Sequence, residues 1–186
     1  MSELSDLEER IRSAIARVYR VGTFDPWKDA YSRSVRFEEL FRTTLPDWPL
    51  RNQTDLSCSG ATILAFLLHP GHYIGVPTRD GLEARISRLG GECFMALLEI
   101  SHLGPFACLR FIRETFDRST GELGYEEQDV PFREEDYGFL HSLQAVLEEE
   151  KIEIVPRSIL EKPVEGVRLN VTEPEDVTIY HCLFDE

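Results

Sequence analysis

Between Cys93 and Val130 the chain carries two apolar runs followed by Asp117-Arg118-Ser119-Thr120-Gly121, and this stretch limits the fold more than any other. Cys93–Ile100 and Phe106–Phe116 have the length and apolar character of strands, and the five-residue connection places its glycine where a hairpin wants a positive φ. Glu122–Val130 then returns as the partner strand, with prominent polar residues that mark an edge or one wet face. Pro131 ends it. A meander of this kind commits its part of the chain to an antiparallel sheet, which the flanking segments must cover.

Several of those segments read as helices. Over residues 3–20, Leu4, Leu7, Ile11, Ala14, Ile15 and Val18 share one face, Ser5 with Glu8 forms a capping box, and Gly22 can close the last turn. Asp25-Pro26 is an N-cap and first-turn pair for a second helix carrying Trp27, Ala30 and Tyr31 toward Leu40-Phe41. Two prolines make Leu45–Pro49 a loop. Glu134–Glu150 is the clearest helix, with Phe139, Leu140, Leu143, Val146 and Leu147 opposite Glu135, Glu148 and Glu149. A further helix begins at Thr78 and Asp80 and stops at Gly90-Gly91.

Ala61–Leu68 is apolar on every side, and periodicity alone does not separate a buried helix from a buried strand. The Ala and Leu majority, with capping chemistry at Ser57, Ser59 and Gly60, favours the helix. Tyr73–Val76 and Ile152–Val155 read as short strands and Pro156–Leu160 as a turn. In Val177–Phe184 both period-two faces are largely apolar, which predicts a central, buried final strand. The expected architecture is α+β: one domain over residues 1–186 with a mainly antiparallel sheet, an N-terminal helical section (a subdomain over 1–50 is the one internal division suggested) and one long amphipathic helix near 134–150.

Charge narrows the function. The 186 residues hold 34 acids and 20 bases, a net charge of -14. Ten acids against one base fall between residues 121 and 150. Phosphate binding runs on Lys and Arg displacing counterions, so a nucleic-acid partner is not expected. The longest apolar run, Ile63–Leu68, is far short of the ~20 residues a membrane span needs. The start, Met1-Ser2-Glu3, has no basic-then-apolar signal pattern, and Cys58, Cys93, Cys108 and Cys182 form no CxxC pair, so the expectation is a cytoplasmic protein with reduced thiols.

Few constellations carry chemistry. Cys58, in Asp55-Leu56-Ser57-Cys58-Ser59-Gly60, would sit at a helix start where backbone N–H groups stabilise a thiolate. Cys58-Ser59-Gly60 resembles the Cys-Ser-Gly at the nucleophile of cell-wall cysteine peptidases, although Ser57 stands where that motif has an aspartate. His102, then His72, are the candidate bases. His69 and His72 flank a Pro-Gly turn and lack the matching ligand pair of a zinc site. Asp117, Ser119 and Gly121 open like a calcium loop, but Glu122 and Gln128 occupy positions that need glycine and glutamate. No phosphate-binding loop is present, and no metal or cofactor is expected. Glu99, among core residues, is expected to pair with Arg110 or Arg113 across strands. His181 reads as a hydrogen-bonded core or rim histidine.

The expected function is therefore a non-enzymatic binding protein whose acidic C-terminal third contacts a basic protein partner through Glu122, Glu126, Glu127, Asp129, Glu134, Glu135 and Asp136. A bacterial toxin-immunity protein is one concrete version. The alternative is a small cysteine hydrolase using Cys58 with His102. The sequence specifies no oligomeric state.

Overall fold

The computed structural model describes residues 3–19, 29–55, 60–69, 79–169 and 176–184. The meander is present. β2 (Ala61–Leu67), β3 (Glu92–Ser101), β4 (Phe106–Asp117) and β5 (Glu122–Gln128) follow one another as antiparallel neighbours, and β1 (Leu50–Asn52) flanks β2, giving the order β1-β2-β3-β4-β5. β6 (Glu153–Ile154) pairs parallel with β4 at Phe106 and Ala107. The β4–β5 hairpin closes as its residues require: Gly121 has φ 72°, and the Asp117 carboxylate accepts both the backbone N–H and the hydroxyl of Ser119 at 2.7 Å.

Ala61–Leu67 is a strand, not the expected helix. β1 and β3 satisfy its backbone on both sides, and both faces are covered, so the segment is apolar all round for the reason a central strand is. Pairing partners distant in sequence override the helix preference of its Ala and Leu residues.

The pleat sends Leu64, Phe66, Ala96, Leu98, Leu109 and Phe111 to one face, beneath α2 (Ala30–Thr44) and α4 (Tyr137–Glu149). Phe139 of α4 is its focus, with ring centroids 5.1 Å from Phe66 and 6.5 Å from Phe111. Burial of a ring of this size contributes about 2 kcal/mol. α4 begins one turn later than its acids suggested, because Glu134–Asp136 forms a 3₁₀ turn first.

The other face is covered in two pieces. At one end Ala61, Phe106 and Cys108 pack with α1 (Glu3–Tyr19), α5 (Arg157–Leu160) and α6 (Ile179–Phe184); at the other, Leu67 and Cys93 pack on Ile86 of α3 (Arg79–Arg88). α1 buries Leu7, Ile11, Ala14 and Ile15 of its expected stripe.

α6 replaces the expected final strand. Its buried residues, Ile179, Cys182, Leu183 and Phe184, have helical spacing. Thr178 precedes the helix, and its backbone N–H donates to His181 Nδ1 at 3.1 Å, which is the reciprocal half of a capping box with histidine at the third position. The residues at 156–160 form a single helical turn. The expected strand at Tyr73–Val76, the pair Asp25-Pro26 and the stop at Gly22 lie outside the described residues. Among the described residues no helix is long and apolar enough to cross a membrane.

Candidate functional site

β5 and β6 share the outer edge of β4 without meeting. β6 pairs with Phe106 and Ala107 and β5 from Phe111 onward, so Cys108, Leu109 and Arg110 have no strand partner on that side. A cleft of about 650 Å³ opens between the two strands. Leu109, Val130, Leu140 and Ile154 give it apolar walls, and Arg110 and Tyr180 bring polar groups to it.

The polar groups interlock, although Arg110 Nε is buried with no hydrogen-bond partner among the described residues. Arg110 Nη2 donates to Glu99 Oε2 at 2.7 Å, and Nη1 reaches Glu127 Oε2 at 3.4 Å. The Tyr180 hydroxyl donates to Glu99 Oε1 at 3.2 Å, and the Arg110 guanidinium lies 5.6 Å from the centre of the Tyr180 ring. Both oxygens of the buried Glu99 carboxylate are thus occupied by donors, so it is an anchor for Arg110 rather than an open base. The cross-strand pairing expected of Glu99 is made with Arg110; Arg113 pairs instead with Glu92 and Glu126. Burial, then the neighbouring Glu99 charge, pushes the Cys108 thiol up to about 12, far from thiolate chemistry at neutral pH.

The seven acids expected to meet a partner divide into two groups. Glu126 binds Arg113 at 3.3 Å, Glu127 accepts from Arg110 and from the Tyr125 hydroxyl at 2.9 Å, and Glu135 binds Arg133 at 2.7 Å. Asp136 is turned inward, 5 % exposed, and takes both Nε and Nη2 of Arg133. Arg133 in turn donates to the Leu68 carbonyl and covers the Phe94 ring at 4.3 Å, so this pair fastens the start of α4 to the sheet. Glu122, Asp129 and Glu134 are exposed and form no side-chain hydrogen bond or ion pair among the described residues. Asp129 stands on the rim of the cleft.

Cys58 and His72 fall outside the described residues. His102 is 1 % exposed, its Nε2 3.1 Å from the Thr62 hydroxyl, and burial followed by the nearby Arg33 charge pushes it down to about 4. His69 Nε2 accepts the Phe94 N–H at 3.1 Å. Among the described residues no group of three or more His, Cys, Asp or Glu side chains could hold a metal ion.

Sequence reasoning missed what accompanies the acids. Leu123, Tyr125, Val130 and Tyr137 are all exposed, by 41, 61, 50 and 39 %. The signal was present in Glu122–Tyr137, where large apolar residues interrupt the acidic stretch, but their direction depends on which face of β5 is covered. No protein-family model matches the chain, and no curated protein or solved structure matches it either.

Proposed function

We propose that this is a non-enzymatic, cytoplasmic binding protein that holds a basic protein partner on the surface running from β5 into the start of α4. One observation carries the reading. Among the described residues six large hydrophobic side chains are exposed, and four of them, Leu123, Tyr125, Val130 and Tyr137, fall within the most acidic thirty residues of the chain. Exposed tyrosines supply large contact area at small entropic cost, and acids around them reject acidic partners and steer basic ones. Glu122, Asp129 and Glu134 form no ion pair among the described residues, so their charge adds to the outward field. A basic toxin neutralised by its immunity protein is one partner of this kind.

The test replaces Glu122, Asp129 and Glu134 together by lysine and measures association with the partner recovered from the native source. These three carry no ion pair among the described residues, so folding should change by no more than ~0.5 kcal/mol each. The on-rate at low salt should fall by about tenfold, and its salt dependence should flatten. Equal on-rates for wild type and variant would overturn the reading.

A further inference from the structure

β5 is the last strand of the sheet, and among the described residues nothing pairs with its outer edge. It is seven residues long, and none of its residues is buried. The ladder direction follows from its neighbours. Phe116 N–H donates to the Gly91 carbonyl on the β3 side, so Thr115 and Arg113 turn their backbone groups toward β5, where they face Gly124 and Glu126. Glu122, Gly124 and Glu126 therefore use their N–H and C=O groups inward, while Leu123, Tyr125 and Glu127 point theirs away from the sheet.

Side chains on this edge alternate in chemistry as well. Glu122 and Glu126 share one face with Gly124 between them; Leu123 and Tyr125 share the other, with Glu127 following them and accepting from the Tyr125 hydroxyl. We infer that the basic partner engages β5 by adding an extended segment to this edge, with cationic residues against Glu122 and Glu126 alternating with apolar residues against Leu123 and Tyr125. The inference rests on the reading that the acidic surface binds a basic protein. Backbone hydrogen bonds from the outward groups of Leu123, Tyr125 and Glu127 hold the added strand, and period-two side chains set its register. A second copy of this chain is a poorer occupant, because it brings two acidic edges together and supplies no cation to either.

The probe is an acetylated, amidated heptapeptide of alternating lysine and valine, compared with an isomer of the same composition whose lysines are grouped. The alternating peptide should bind about tenfold more tightly than its isomer, since only it places every cross-strand pair correctly. It should also slow hydrogen exchange at the Leu123, Tyr125 and Glu127 amides, a readout that needs no substitution. Tyr125→Pro and Tyr125→Ala both lose the ring, but only proline loses the outward N–H, and an edge position tolerates it. Tyr125→Pro should bind the alternating peptide about fivefold more weakly than Tyr125→Ala. Equal binding of the two peptides, unchanged exchange at those amides, or no binding of either peptide would overturn edge addition. The partner's response to the triple lysine variant decides separately whether the acidic-surface reading stands.

Discussion

Glu99 and Arg110 sit on adjacent strands but not opposite one another: the register sets Glu99 against Cys108 and Arg110 against Leu97, and the 2.7 Å ion pair is diagonal. The Glu99 side chain is 5 % exposed and that of Arg110 23 %. Removing one member leaves the other charge poorly compensated in a dry setting. Glu99→Ala should therefore cost about 3 kcal/mol in urea denaturation, and the double variant Glu99→Ala with Arg110→Ala should cost clearly less than the two singles added. Additive losses would mean that the pair is not coupled.

Acid should weaken the fold through His102. Burial keeps it neutral in the folded protein down to about 4, whereas the unfolded chain takes up its proton near 6.5. Between those values the unfolded state binds more protons. The contribution is complete above about pH 6.5 and is lost as the pH falls toward 4, to the extent of up to about 3 kcal/mol. His102→Gln, which cannot titrate there, should flatten the dependence of stability on pH between 4 and 6.5; an unchanged slope would assign the acid sensitivity to other groups.

Burial raises Cys93 to about 11 and both Cys108 and Cys182 to about 12. In the native protein these three thiols should stay unmodified by a charged disulfide reagent at pH 8 over a period in which urea-unfolded protein reacts fully. Rapid native reaction at any of them would show that its pocket opens.

Gly124 faces Thr115 across the hairpin, and a Cβ there would run into the Thr115 hydroxyl. Gly124→Ala should destabilise by about 1 kcal/mol, and Thr115→Ala should rescue it by removing the obstructing atom. Gly121→Ala meets no atom, so its similar cost comes from the positive φ alone and should not be rescued by Thr115→Ala. Thermal melts of the two double variants separate the causes.

What could be read in advance follows from whether a segment's own residues determine its conformation. The 117–121 turn, the stripes of α1 and α4 and the apolar runs of β3 and β4 are local signals, and they appear where expected. Ala61–Leu67 is apolar on all sides, which removes the periodicity that distinguishes helix from strand, and Ile179–Phe184 is so short that its apolar residues fit a period of two as well as helical spacing. In α6 the capping contact of Thr178 with His181 was the available cue, hidden because histidine stands where glutamate is usual. The cleft was not legible, since it arises from two strands, 122–128 and 153–154, that diverge along one edge of β4. The pairing of Glu99 with Arg110 was legible, because adjacent strands bring such residues within reach.

α1 is tied to the far part of the chain: Tyr19 donates to the Cys182 carbonyl at 3.1 Å, Arg10 grips Glu153, and Lys162 binds Glu8. Each tie joins residues more than 140 positions apart. β2 through β5, by contrast, pair with sequence neighbours and can zip together with little loop-closure entropy. The clasp therefore forms last on the way to the native state, and it is the part that a brief opening releases first: amides of α1 should exchange through a low-energy excursion while those of β3 and β4 wait for global unfolding.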